Sequence, residues 1–182
     1  CVPLLLTQFA FRRYAAIRTT YRETIRSLSR VTEVGGYVEA GHAHRVSVLA
    51  VEVGRELGLT ESEIVELEYA ALLHDIGQLS LTDPIPGGST LVVAPVERRR
   101  VAELGADVIA ATGVLDRVAA IVARQADPYR RHRESADETL PIESRIIKAV
   151  SAYDDLAGRS DSAEAAADAL ERLRLGMAYE YD

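Results

Sequence analysis

The chain has 182 residues, 48% of them hydrophobic and 27% charged, which fits a soluble globular protein with one core and excludes a disordered chain. One cysteine, Cys1, and four histidines, His42, His44, His74 and His132, exclude cysteine-rich zinc modules, iron–sulfur centres and an intrachain disulfide, so any metal must be held by a few histidines with carboxylates. The net charge of −7 disfavours general nucleic-acid binding, which needs clustered Lys and Arg. It is also uneven: in residues 1–35 six arginines face Glu23 and Glu33, a net +4 that leaves −11 for residues 36–182.

The first segment runs from Cys1 through Leu4-Leu5-Leu6 and Phe9-Ala10-Phe11 to Arg12-Arg13. Its apolar run is about half of the roughly 20 residues a spanning helix needs. It reads either as the last turns of a membrane helix with its arginines on the cytoplasmic side, or as an amphipathic first helix. A lipidated Cys1 is a third, poorer option. From Tyr14 to Val31, apolar residues recur at spacings of three and four, with Arg18, Arg22, Arg26 and Arg30 alongside, which predicts a helical connector over residues 1–35. Such a helix offers a parallel homodimer seam, although packing against the body accounts for so short a repeat more simply. The arginine row reads as a solvated face. The expectation is a cytoplasmic domain, residues 36–182, following a membrane or sensor segment.

After Gly35-Gly36 the chain reads as helices separated by short breakers, an all-α fold. Helices are expected at about Gly41 to Leu57 and from the capping box Thr60-x-x-Glu63 through Leu73. Beyond a breaker-rich loop at 82–89, further helices are expected at Pro95 to Ala111, Leu115 to Gln125, Ile142 to Leu156 and Ala163 to Leu175. Pro141 is placed at the first turn of the sixth helix and Gly158 past its end. A polar, charged loop runs from Asp127 to Thr139.

Two features carry chemistry: His42 near the start of one helix, and the adjacent His74-Asp75 closing the apolar run Ala70-Ala71-Leu72-Leu73. Such groups are costly in an apolar setting unless they are paired or bind a cation. Imidazole with carboxylate suits a first-row divalent ion. His44, about 200° from His42 around the helix, should point away from this site.

The string Ala71-Leu72-Leu73-His74-Asp75-Ile76-Gly77, preceded by His42-Ala43-His44-Arg45-Val46, resembles the HD superfamily of metal-dependent phosphohydrolases. It is most similar to the HD-GYP branch, whose members hydrolyse cyclic di-GMP. The likeness continues through Leu140 to Val150 and Tyr153-Asp154-Asp155-Leu156, and covers roughly residues 36–182. It implies an HD helical bundle in which His42, His74 and Asp75 ligate a divalent metal ion (Fe, Mn, Zn or Mg), with His74 and Asp75 central to catalysis.

The sequence departs from the branch at several ligand positions. Val101 and Ser151 stand where the branch has a histidine and an aspartate, Arg124-Gln125 falls near its histidine pair, and Gln78 replaces the lysine after His-Asp-Ile-Gly. The Gly-Tyr-Pro signature is absent from 127–139, while the second aspartate of that helix is kept as Asp154. The resemblance therefore implies a metal site reduced to His42, His74 and Asp75. Asp154, Asp155, Arg45 and Gln78 are auxiliary candidates. Asp155, one turn after Ser151, reads as a helix-end surface charge or as a partial replacement for the missing aspartate. Arg45 or the loop arginines are candidates to steady a phosphate, whereas His132, among those arginines, reads mainly as solvated.

The functional expectation is an HD-type phosphohydrolase acting on a cyclic dinucleotide or other small phosphorylated ligand in signalling. The alternative is a catalytically inactive HD-GYP-like signalling or ligand-binding module, and a purely structural dimerisation role is the third.

Overall fold

The computed structural model describes residues 2–85, 87–131, 133–158, 160, 162–176 and 179–181. Cys1 and His132 lie outside the described residues. Seven α-helices occur among them: α1 (Val2–Val34), α2 (His42–Glu56), α3 (Glu61–Leu73), α4 (Pro95–Ala110), α5 (Asp116–Arg124), α6 (Ile142–Ala157) and α7 (Ala163–Gly176). A 3-10 turn, Ile76–Ser80, follows α3. The described residues contain no strand, only an isolated antiparallel bridge between Arg130 and Ala136. The all-α expectation holds, with helix ends within a residue or two of those expected.

Local chemistry sets the boundaries. At the start of α3, Thr60 N–H donates to Glu63 Oε2 at 2.7 Å while Thr60 Oγ accepts from Glu63 N–H, a complete capping box. The last carbonyls of α2 are closed by Gly58 N–H to Arg55 O and Leu59 N–H to Gly54 O, with Gly58 at φ 79° in the left-handed region. Pro141 caps α6 from outside, one residue before the position expected.

Helix α3 is central and packs against α1, α2, α5 and α6. Its residues Leu67, Ala70, Ala71, Leu72 and Leu73 are buried, joined in the core by Ile121, Val122, Ile146 and Ile147. A helix buried on nearly all sides thus delivers His74, its C-cap, into the interior.

Helix α1 packs on the body through Ile25 (2% exposed) and through Tyr21, whose ring meets Tyr69 edge-on at 5.9 Å. Its arginine row is not wholly a solvated face. Arg22 and Arg26 both reach the Glu68 carboxylate of α3, which is 8% exposed, while Arg30 stays exposed. A buried carboxylate requires such partners. No helix among the described residues is long and apolar enough to cross a membrane.

Candidate metal and phosphate site

The first residue of α2, the end of α3 and one face of α6 converge. His42, His74 and Asp75 are 4%, 3% and 6% exposed, and their facing atoms form a tight triangle. His42 Nε2 lies 3.3 Å from His74 Nε2 and 3.4 Å from Asp75 Oδ2, and the third side, His74 Nε2 to Asp75 Oδ2, is 3.1 Å.

The other ring nitrogens are already committed. His42 Nδ1 donates to Asp154 Oδ2 and His74 Nδ1 to the Ala71 carbonyl, both at 2.8 Å. In neutral rings the two Nε2 atoms are therefore acceptors, and with Asp75 Oδ2 they make a buried cluster of three acceptors. Ser151 Oγ, 3.2 Å from His74 Nε2, can donate its single proton to one of them, whereas a proton or a cation at the centre serves all three. A tetrahedral ion with bonds of about 2.0–2.2 Å sets its ligands about 3.3–3.6 Å apart, close to the sides observed. The donor set therefore fits a divalent cation.

Electrostatics agree. Burial alone would drive the His42 imidazolium to lose its proton, but hydrogen bonds to Asp154 and Asp75 outweigh it and raise its pKa to about 10. Burial pushes the Asp75 carboxyl up, and this is overcome by His74 and His42, which hold it below the usual carboxylate range. In Asp154 burial is likewise overcome by His42 and Arg45, and the pKa is lowered. For Asp155 burial prevails and its pKa is raised.

The auxiliary candidates sort by their contacts. Asp154 supports His42 from behind, as carboxylates do for metal-ligating histidines. Arg45 donates from Nε and Nη2 to that same carboxylate, each at 2.8 Å, so it is committed to Asp154 instead of being available to grip a phosphate. Gln78, fully buried, donates to Asp75 Oδ1 at 2.8 Å and to the Gly88 carbonyl at 3.2 Å. Asp155 is not a surface charge: its side chain is 14% exposed, accepts from Ser89 Oγ at 2.6 Å and lies 3.7 Å from His42 Nδ1. Ser151 Oγ sits 3.2 Å from His74 Nε2. Val101 is buried, and Gln125 donates to the His74 carbonyl at 2.6 Å. His44 is exposed and turned away, as its helical position requires.

The 3-10 turn bearing Gln78 presses closely on α4. A Cβ on Gly77 would lie 1.9 Å from the Val101 carbonyl oxygen, so the glycine after His-Asp-Ile is needed for close approach. Sequence reasoning missed Arg98 and Lys148, which line a cavity beside the cluster. Lys148 carried one usable signal, as the sole lysine, three residues before Ser151 on α6.

The chain resembles a cyclic di-GMP phosphodiesterase response regulator of Xanthomonas campestris, 29% identical over 74% of the chain and 38% of that protein. It also resembles a 3'3'-cGAMP-specific phosphodiesterase of Vibrio cholerae, 31% identical over 34% of the chain and 13% of the relative. A cyclic di-GMP phosphodiesterase of Thermotoga maritima is 32% identical over 35% of the chain and 17% of the relative. The chain thus spans well under half the length of these relatives. The sequence profile of the HD domain matches residues 27–182, and the chain belongs to the HD-domain family.

Proposed function

We propose that this chain is a metal-dependent phosphohydrolase domain for a cyclic dinucleotide phosphodiester, with one divalent ion held by His42, His74 and Asp75. The observation that carries this reading is the buried triangle of acceptors, 3.1 to 3.4 Å on a side, whose remaining ring nitrogens are already used as donors. The names of the three relatives supply the substrate class.

Each neighbouring residue has a part that follows from its contacts. Asp154 fixes the His42 tautomer so that Nε2 presents its lone pair to the centre, and Arg45 neutralises Asp154. Gln78 engages Asp75 Oδ1 and leaves Oδ2 for the cluster. Asp155 lines the adjoining cavity, and burial raises its pKa above the ordinary carboxylate value, which makes it the carboxyl placed to exchange a proton with a bound ligand. When bound, a divalent ion supplies Lewis-acid polarisation of a phosphoryl oxygen and a more acidic water.

The test is metal analysis of protein purified without chelator, followed by hydrolysis assays with Mn, Fe, Mg and Zn on cyclic di-GMP, 3'3'-cGAMP and a generic phosphodiester. Metal and turnover that both vanish in His74→Ala are expected. No metal above background, with no hydrolysis dependent on His74, removes the proposal. The neutral residues Val101, Ser151 and Gln125 beside the triangle favour a second reading, a ligand-binding signalling module, which bound metal without turnover would select.

A further inference from the structure

Beside the acceptor triangle lies a cavity of ≈ 50 Å³, lined by His74, Asp75 and Asp155 and also by two cations, Arg98 of α4 and Lys148 of α6. Neither cation belongs to the ligand pattern, and they come from elements distant in sequence. The Lys148 side chain is 9% exposed; its Nζ donates to the Asp127 carbonyl at 2.9 Å and to Glu180 Oε2 at 2.7 Å. Arg98 Nε is buried with no hydrogen-bond partner, and its guanidinium forms no ion pair with a described residue.

Glu180 belongs to the short segment after α7. Residues 179–181 are docked: Glu180 N–H donates to the Gly176 carbonyl at 3.0 Å, the Tyr179 carbonyl accepts from Arg130 N–H at 2.8 Å, and the Tyr181 ring lies 5.7 Å from Lys148 Nζ. The Glu180 side chain remains 40% exposed, so it can leave Lys148 for water at little cost. A buried guanidinium donor without an acceptor is costly, and a second cation in the same small cavity adds repulsion. Glu180 pairs with Lys148 only, and neither Asp75 nor Asp155, which also line the cavity, is ion-paired with Arg98 or Lys148. An oxyanion with several acceptor oxygens satisfies both cations at once, and phosphate is the group that guanidinium and ammonium hold through charge-assisted hydrogen bonds.

We propose that Arg98 and Lys148 form a subsite for a phosphate group, and that Glu180, paired with Lys148 Nζ at 2.7 Å, competes with the phosphate for that ammonium. This rests on the phosphohydrolase reading, because a phosphate in this cavity lies against His74 and Asp75. The phosphate belongs to a diester substrate or to a monoester product, and the two differ in charge. Glu180 thereby sets the affinity of the site: anion binding is weakened by the fraction of molecules in which the carboxylate holds Lys148.

The test is calorimetric titration of the 182-residue chain, in chelator, with inorganic phosphate and separately with dimethyl phosphate. Glu180→Gln is expected to tighten binding about tenfold if the carboxylate occupies Lys148 in roughly nine-tenths of molecules. The probe that responds more strongly identifies monoester or diester. Arg98→Met and Lys148→Met, each made in the Glu180→Gln background, are expected to weaken binding about tenfold or more. Equal affinity of Glu180→Gln and the parent chain, or phosphate binding indifferent to Arg98, overturns the subsite. If Lys148→Met fails to fold, Glu180→Gln and Arg98→Met decide alone. Metal content without chelator is read independently. Loss of metal in His74→Ala with phosphate binding intact leaves the subsite standing, whereas absence of metal in the parent chain removes only the metal-centre reading.

Discussion

Replacing Gly77 by alanine tests whether the His-Asp-Ile-Gly run is shaped by packing. The added Cβ would stand 1.9 Å from the Val101 carbonyl oxygen and 2.7 Å from Gly105 N, where ordinary contact begins near 3.4 Å. Both obstacles are backbone, so no side-chain rotation relieves them, and the 3-10 turn must separate from α4 by about 1.5 Å at the closest point. Overpacking a close-packed interior typically costs about 1–3 kcal/mol, and a clash with backbone belongs at the top of that range. At roughly 2–4 °C per kcal/mol for a chain of this size, about 3 kcal/mol lowers Tm by about 6–12 °C. The reciprocal change, Gly105→Ala, is the control. Its Cβ meets Gly77 N at 3.1 Å and Gly77 Cα at 3.4 Å, which small adjustments accommodate. Urea denaturation and thermal melting measure both variants. Bound metal is a second readout, because Asp75 and Gln78 belong to the displaced turn and its cap. Gly77→Ala within about 0.5 kcal/mol of the parent, or Gly105→Ala equally costly, would refute the packing argument.

Two further outcomes follow from the triangle. Asp154→Asn keeps the shape but removes the charge that orients His42 and pairs with Arg45; metal affinity, measured by competition with a chelating dye, should fall about 10–100-fold, and unchanged affinity would contradict the supporting role of Asp154. The metal-free chain should lose stability as pH rises: the His42 pKa of about 10 exceeds its ordinary 6.5, so the contribution is complete below about pH 6.5 and disappears as pH passes through 10, a loss of a few kcal/mol. Urea midpoints in EDTA should decline from pH 6 to 9.5, and a midpoint rising across that interval would oppose the assignment.

Much of the fold was legible because local chemistry decides it. Thr60 and Glu63 begin α3, Pro95 opens α4, and Gly58 closes the turn after α2. The triangle was legible through His42 and His74-Asp75, since an ionisable pair ending an apolar helix has few inexpensive environments. What escaped depends on contacts between distant segments. Asp155 resembles a helix-end charge until the 82–89 loop brings Ser89 against it. Arg45 could serve a ligand by its position, yet α6 presents Asp154 to it. The arginines of α1 resemble a solvated face until α3 supplies Glu68. Arg98 and Lys148 share a cavity only because α4 and α6 both line it, Glu180 reaches Lys148 from beyond α7, and spacing along the chain carries no trace of either meeting.

The attachment of α1 has a consequence for how that helix is indexed on the body. Arg22, Arg26 and Arg30 recur every four residues, nearly one helical turn, so an axial slide of about 5.4–6 Å exchanges one arginine for the next opposite Glu68. Attraction to a single carboxylate is therefore close to periodic along the helix and scarcely distinguishes one register from its neighbour. The apolar contacts lack that repeat: Ile25 in the core and Tyr21 against Tyr69 have no equivalents one turn on, where Ser29 and Ile25 would take their places. Charge thus supplies adhesion, and shape supplies the address.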